Sequence, residues 1–571
     1  MKNLLNYTRI PDAETAGQWL ENAIESVDYL KLVLTGDWIP IYVSGPFFYV
    51  FAVLMKAEKA NPVDHAKLGP VVIDPSSSWR LEHVWGGGEP ERMYLEAGIG
   101  ESGGSPLACG QQLMYRRRMY GLDPYIELDQ RLVQALDVHF LSERNAYCRV
   151  NRRGDIEPII KVEQLPADES GHRGTLVSVK TEDLVKYMVV TQTVLAAKFD
   201  FTRVDHKKVG FDGWQDAERQ SFTAPNLAYH SGRIPGRSSF VNGWIIVRPN
   251  KTLAEVIEDE NTASDRSKRQ YADFIIQDAR YGRIITCSAA PEASTNYFDA
   301  TEGLPFELSP VFFRPEVMSK YKADTDKYQI DGRMIRCRNA WELRSFDINE
   351  AGQVHTYLQD LSHLPYEEQL YWKSFNEEPK APISKRSFTS DFLGQWTNEP
   401  DPLDELKRDT ASLDGSRPPW WIPRGEAVRL AAQYPSQDNA AEWGQEIMHL
   451  DQLVVEGFKE SELRKIAANC GAQMGTNWRS LRLIETIFVA SGVPEGKAKA
   501  MIAPLQRMHA LRSTLTAHTG GTTKAEEKRK AIAEHQTYRA HFENLAGGVH
   551  DGLTAIIAVL NGDPTTPPED E

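Results

Sequence analysis

The pattern of apolar and polar positions changes along the chain, and its last third is helical in character. Apolar residues recur there every three or four positions, as on one face of an α-helix. Two such faces are formed by Trp443, Ile447, Leu450 and Val454, and by Leu481, Ile484 and Phe488. Further helices are predicted over 501–518, 524–545 and 549–560. We therefore expect an all-α helical bundle over 426–561.

The first 395 residues combine short strand patterns with helical ones. The segments AYCRV and IEPIIKVEQL flank the turn NRRGD, and three strand patterns over 333–361 predict a meander with a hairpin turn at 349–352. Helical patterns cover 13–34, 181–198 and 263–281. Because the strands are grouped rather than strictly alternating with helices, the predicted fold class is α+β. A large mixed N-terminal body is followed by an all-α helical-bundle C-terminal domain.

A change of composition near residue 396 sets the predicted domain plan. Residues 396–425 are rich in Pro, Asp and Ser. They are predicted to be a linker between a 1–395 body of one or two subdomains, with a sensor or regulatory role, and the 426–561 helical domain. The Pro-Pro-Trp-Trp at 418–421 is a candidate for docking on a neighbouring surface. The acidic, Pro-rich residues 562–571 are expected to form a disordered tail.

One apolar run has to be weighed as a membrane segment. Residues 39–55 carry no charge, but they fall short of the ~20 residues that a spanning helix needs, and Ser-Gly-Pro interrupts them at 44–46. Two buried strands around a turn, or a strand leading into a buried helix, fit better. The N-terminus has no sustained apolar region, and the five cysteines show no disulfide or zinc-ribbon spacing. We expect a cytoplasmic protein with no membrane partner.

Charge is distributed unevenly. The chain carries a formal charge of −15, which argues against a general nucleic-acid coat. The window 496–545 nevertheless holds nine Lys and Arg against four Glu, and a cationic island is where an RNA backbone docks. The candidate RNA-binding residues in this window are Lys524, Lys528, Arg529, Lys530 and His509.

The same window contains a candidate catalytic pair, Arg512 and His518, at a predicted helix end. A histidine at a helix C-terminus can gain and lose a proton near neutral pH, which suits acid–base work on a ribose 2′-hydroxyl. An arginine can hold the phosphate. The two point about 120° apart in an unbroken helix, so the helix must loosen, Arg512 must reach around, or two chains must share a cleft. The alternative is a solvated histidine beside an arginine in a surface ion pair.

The C-terminal third resembles the HEPN superfamily of helical ribonuclease and nucleotide-binding domains. The resemblance rests on the helical pattern and on LRSTLTAH, 511–518, which matches that superfamily's signature of Arg, four to six residues, then His. It implies a metal-independent endoribonuclease that works as a homodimer, with Arg512 on the scissile phosphate and His518 as acid or base. It also implies an effector in bacterial anti-phage defence. The competing hypothesis is a non-enzymatic interaction or dimerisation protein with a degenerate HEPN-like domain. Histidine spacing predicts no metal site, and no cofactor is expected.

Other segments carry weaker signals. The Gly-rich 84–110 lacks the Gly-Lys-Ser/Thr ending of a phosphate-binding loop and is predicted to be a surface loop. The arginines at 116–118 are predicted to form a solvated face. Glu157 and Lys161 share a strand face but are not assigned to a nuclease site. The aromatic residues of 364–376 are expected to pack a domain seam rather than stack on a base.

Overall fold

The structure, a computed structural model, describes two compact units. One unit is built from 1–151 and 156–268, and the other from 152–155 and 269–571. The described residues are 25–45, 48–60, 80–86, 88, 90–96, 111–117, 119, 122, 124–167, 173–204, 218–234, 238–264, 269–298, 303–395, 401–516 and 521–561.

The first unit is built on an antiparallel sheet of eleven strands. The strands of this unit are β1 Trp38–Ser44, β2 Phe48–Lys56, β3 Arg80–Val84, β4 Arg92–Glu96, β5 Gln111–Gln112, β6 Met114–Arg117, β7 Tyr125–Leu128, β8 His139–Leu141, β9 Ala146–Val150, β10 Ile156–Ala167, β11 Arg173–Lys180, β12 Thr193–Val204, β13 Glu218–Ala224, β14 Leu227–Ile234 and β15 Ser238–Val247. The large sheet runs β13-β14-β15-β12-β2-β1-β11-β10-β9-β8, and β5 pairs with β2. β3–β4 and β6–β7 form separate pairs.

The apolar run at 39–55 forms two central strands of this sheet. β1 pairs antiparallel with β2, and Tyr42 lies opposite Phe51. The predicted pair of buried strands is confirmed, and residues 46–47 between them lie outside the described residues. Among the residues that the structure describes, no helix is long and apolar enough to cross a membrane.

Within the described residues, four α-helices accompany the sheet: α1 Glu25–Val33, α2 Gln130–Ala135, α3 Thr181–Thr191 and α4 Leu253–Ser264. The predicted helix over 181–198 is correct only as far as Thr191. Gln192 ends it in the left-handed conformation at φ 55°, and 193–204 pairs as β12 between β2 and β15. The predicted helix over 263–281 is wrong as well, because α4 ends at Ser264 and 273–278 alternates buried and partly exposed residues as a strand.

The second unit begins with smaller sheets. Its strands are β16 Asp273–Asp278, β17 Arg283–Ser288, β18 Pro310–Phe313, β19 Tyr328–Asp331, β20 Met334–Cys337, β21 Trp341–Leu343, β22 Asp347–Ile348, β23 Val354–Tyr357 and β24 Asn376–Glu377. The order β17-β16-β18-β23-β22, with β24 on β18, forms one sheet, and β19-β20-β21 forms another. The hairpin predicted at 349–352 joins β22 to β23, with Gly352 at φ 76°. Short helices are α5 Ser319–Ala323, α6 Leu358–Ser362, α7 Tyr366–Lys373 and α8 Lys385–Ser387.

The rest of the second unit is a run of helices, which confirms the predicted α+β class with a helical C-terminal region. They are α9 Pro402–Ser416, α10 Gly425–Ala431, α11 Ala440–Val454, α12 Glu460–Asn469, α13 Ser480–Ala490, α14 Glu495–Thr516, α15 Gly521–His535 and α16 Tyr538–Leu560. The helix predicted over 524–545 is interrupted, because Gln536 is left-handed at φ 67° and the Thr537 hydroxyl caps the start of α16. α16 then continues through Gly547 and Gly548 without the predicted break.

The predicted linker at 396–425 contains a helix. Asp401 caps α9, Pro402 occupies its first position, and Leu403, Leu406 and Leu413 are buried in the helical core. The Asp and Pro residues that suggested a linker are here the first residues of a capped amphipathic helix. Docking of the Trp pair is confirmed, because the rings of Trp420 and Trp421 pack against Phe458 with centroids 6.3 and 5.7 Å away. The division of the chain into a separate 1–395 body and a 426–561 helical domain stays a prediction. The tail at 562–571 lies outside the described residues.

Helix α14 lies at the centre of the helical region, in contact with α11, α13, α15 and α16. Its inner face is fully apolar and consists of Ala498, Ile502, Leu505, Met508, Leu511 and Leu515. α16 approaches it closely because glycines face it. A Cβ on Gly552 would lie 2.8 Å from the Met501 carbonyl oxygen and against the Leu505 side chain, and a Cβ on Gly548 would lie 2.9 Å from Pro504 Cγ.

This close approach predicts different effects for substitutions at two glycines of α16. Gly552→Ala should lower the free energy of unfolding by about 1–3 kcal/mol, because the added methyl overpacks the α14 contact. Gly547→Ala is the matched control, since its Cβ would meet only Pro402 Cγ at 3.8 Å. It should be neutral or stabilising by about 0.5–1 kcal/mol through helix propensity. Urea midpoints measure both, and equal midpoints would contradict the packing argument.

Candidate active site

Arg512 lies near the C-terminal end of α14 and is held by two carboxylates. Its Nη1 donates to Asp451 Oδ2 at 3.0 Å, and its Nη2 donates to Glu456 Oε1 at 2.8 Å. The predicted helical position of Arg512 is confirmed, because α14 runs to Thr516. The alternative to a catalytic role, in which Arg512 only forms an ion pair, predicts such contacts as well.

Asp451 is the buried centre of this cluster. It belongs to α11, its side chain has 0% exposure, and its Oδ1 accepts from His509 Nδ1 at 3.0 Å. Burial raises the pKa of the Asp451 carboxyl, and the hydrogen bond from His509 and the charge of Arg512 oppose that rise. One carboxylate therefore binds an imidazole through one oxygen and a guanidinium through the other.

His509 and Arg512 meet the same carboxylate because they lie three residues apart on one face of α14. An ionised carboxylate can only accept, so the His509 Nδ1 carries the hydrogen. The Nε2 is then the basic nitrogen, and the His509 side chain is 46% exposed. A carboxylate that orients a histidine in this way is a recurring arrangement at proton-transfer sites.

Glu456 closes the outer side of the cluster and is less firmly held than Asp451. Its side chain is 37% exposed, and its Oε2 lies 3.4 Å from Arg424 Nη2. Ion pairs with this much exposure contribute only about 0–1 kcal/mol. A phosphate could therefore replace Glu456 on Arg512, while buried Asp451 continues to hold the other edge of the guanidinium.

The other predicted site residues differ in whether the structure describes them and in what they contact. His518 lies outside the described residues, in the gap at 517–520. Lys524 donates to the Leu515 carbonyl oxygen at 2.6 Å, so its ammonium caps the end of α14. Lys528, Arg529 and Lys530 lie on α15, where Lys530 Nζ is 3.9 Å from Glu527 Oε1. The structure thus brings His509 together with Arg512, and binding of RNA by the α15 cations stays a prediction.

His541, which also lies in the 496–545 window, belongs to the core. It is buried, and its Nδ1 accepts from Trp443 Nε1 at 3.2 Å. Burial, together with the nearby His535 and Arg507, lowers the pKa of His541 to about 4. It therefore stays neutral at physiological pH and serves packing rather than phosphate binding.

Sequence reasoning missed Asp451, Glu456 and Arg424. For Asp451 a signal existed, since it follows Ile447 by four residues and so lies on the apolar stripe of α11. A charged residue at a predicted core position is rarely unpaired. Arg424 and Glu456 gave no such signal, because they meet only through the folding of the segments that flank α10 and α11.

The residues of the other candidate segments contact different parts of the protein. Glu157 Oε1 accepts from Lys180 Nζ at 2.6 Å, whereas Lys161 Nζ lies 3.9 Å from the Trp38 ring centroid. The aromatic segment 364–376 packs into the core of the second unit, around fully buried Trp372. Of the three arginines, Arg117 is 3.5 Å from Glu127, and Arg118 lies outside the described residues. Most of 84–110 does as well. In the described ranges, no group of three His, Cys, Asp or Glu is arranged to hold a metal ion.

Comparison with known proteins finds no match, whether to a family model, a curated protein or a solved structure. The all-helical C-terminal region is compatible with the predicted helical domain but does not identify a HEPN domain.

His541 predicts a pH dependence of stability. Below pH ~6.5 the unfolded chain protonates this imidazole, whereas the folded chain does not until about pH 4. The free energy of unfolding should therefore fall as the pH drops through this window, by about 2 kcal/mol at pH 5 from this group. In His541→Asn the amide oxygen can still accept from Trp443, and this part of the slope should vanish. Urea midpoints between pH 4.5 and 7.5 test it, and identical slopes would contradict the assignment.

Proposed function

We propose that the protein is a metal-independent endoribonuclease of HEPN type, with its site at the end of α14. The observation that carries the proposal is the single buried carboxylate, Asp451, which holds His509 and Arg512 side by side on one helical face. Such a site combines a proton-transfer group with a phosphate-binding group, and it needs no metal to do so.

The proposed chemistry divides between two histidines and an arginine. One imidazole takes the proton of the ribose 2′-hydroxyl, and the resulting oxygen attacks the adjacent phosphorus. The bond to the 5′-oxygen breaks, and the second imidazole supplies the proton that this oxygen needs to leave. His509 Nε2, oriented through Asp451, is assigned one transfer and His518 the other. Arg512 binds the phosphate and stabilises the charge that develops on it.

A homodimer through the helical region is part of this proposal. The HEPN resemblance implies a dimer, and a cleft shared by two chains would let one chain's arginine work with the other's histidine. The role as an effector in bacterial anti-phage defence rests on the HEPN resemblance alone.

The second candidate function is a non-enzymatic interaction module. It is favoured by the occupancy of Arg512, whose two terminal nitrogens both donate to carboxylates. An arginine used only to tie α14 to α11 would have this environment. In that case the α15 cations, and not Arg512, would meet the partner.

Cleavage of single-stranded RNA by the purified full-length protein separates these functions. His518→Ala should reduce the rate by about 10²–10⁴-fold through loss of a proton-transfer group. Arg512→Lys should also reduce it, because lysine keeps the charge but loses the planar fork that holds phosphate and Asp451 together. EDTA should leave the rate unchanged.

Arg507→Lys is the matched control. Arg507 lies on α14 one and a half turns before Arg512 and pairs with Glu527 instead, so cleavage should persist. If RNA is cut equally fast by wild type and His518→Ala, the acid–base proposal fails. If wild type itself cuts no RNA but self-associates through the helical region, the interaction module is the better assignment.

A further inference from the structure

A cavity of about 590 Å³ opens in the second unit, and Arg512 is not among the residues that line it. One wall is α5 and the start of β19, and the other is the end of α10 with the first three turns of α11. This volume lies within the range of small-molecule sites, roughly 300–1,000 Å³. The charged groups on the walls limit which molecules can enter.

Lys322 is the one lysine on the walls, and its ammonium is already saturated. It donates to Glu442 Oε1, to Glu446 Oε1 at 3.2 Å and to the Tyr434 carbonyl oxygen at 2.7 Å. An ammonium has three N–H groups, so none is left for an anionic ligand.

The two carboxylates leave the walls with a net negative charge. Glu446 is buried, and its Oε2 also accepts from His449 Nδ1 at 3.2 Å and from the Gln433 backbone N–H at 3.1 Å. Glu442 accepts further from the Ser436 and Gln437 backbone N–H groups at 2.9 and 2.7 Å. One lysine faces two glutamates on these walls. A phosphate-bearing ligand would be repelled.

Neutral hydrogen-bonding groups remain next to apolar surface. Because His449 Nδ1 donates to Glu446, its Nε2 accepts from the Gln445 amide at 2.8 Å, which leaves the Gln445 carbonyl oxygen to accept from a ligand. Tyr328 and Gln329 lie on the opposite wall, and Leu430, Ala431 and Ala441 add apolar surface. Apolar surface beside a neutral hydrogen-bond acceptor suits a heteroaromatic molecule, whose ring is apolar and whose edge carries hydrogen-bond donors.

We propose that this cavity binds an uncharged heteroaromatic molecule of nucleoside size and excludes the corresponding nucleotide. The proposal does not depend on ribonuclease activity, because the α11 residues that line the cavity lie on a different face of that helix from Asp451.

Calorimetric titration of the full-length protein with adenosine, guanosine, cytidine and uridine, and with their 5′-monophosphates, tests it. At least one nucleoside should bind with a Kd below about 1 mM, and its monophosphate should bind at least about tenfold more weakly because of the two wall carboxylates.

Two variants locate the binding. Ala441→Trp should abolish it by filling the cavity, whereas Ala440→Trp, one residue earlier on α11 and not on the walls, should bind like wild type. Gln445→Leu, which keeps the size of an exposed side chain, should weaken binding severalfold. The absence of binding by all four nucleosides, tighter binding of a monophosphate, or undiminished binding by Ala441→Trp would each overturn the proposal.

Discussion

The burial of one charge organises the candidate site. Asp451 has no exposed surface, and an ionised carboxylate in that position is stable only with partners on both oxygens. His509 and Arg512 are those partners, and both come from α14. Removing one partner of a buried charged group typically costs 3–5 kcal/mol, so the cluster fixes how α11 meets α14. The close packing of α16 through Gly548 and Gly552 supports α14 from another side.

The sequence predicted those parts of the fold that local patterns determine. Strands with sharp turns, such as β22 and β23 around Gly352, and helices with an apolar stripe, such as α11, were predictable. Errors arose where neighbours overrode the local pattern. Residues 193–204 form a strand because β2 and β15 lie on either side. The local pattern of apolar residues cannot predict this, because the pairing strands are distant in the sequence. Residues 402–416 have the Pro and Asp of a linker, yet these are also the cap residues of α9.

The candidate site was predicted only in part, because its contacts also depend on residues that are distant in the sequence. Arg512 was found from its place near a helix end, but its environment depends on residues more than fifty positions away, Asp451 and Glu456. Spacing along one helix can place His509 beside Arg512, but it cannot supply the carboxylate that joins them. His541 shows the opposite limit, since a histidine in a basic window is here a core residue bonded to Trp443.

Helix α11 carries two sets of polar residues on opposite sides. Glu442, Glu446 and His449 line the cavity, and Asp451 faces α14. Each residue along a helix is rotated by about 100° from the one before it. Inserting or deleting one residue between His449 and Asp451 would therefore rotate one set out of place, whichever set kept its position. Substitutions on either side can accumulate independently, but the length of this helical segment cannot change. We therefore expect relatives of this chain to vary in length in the connections around α11 and not within it.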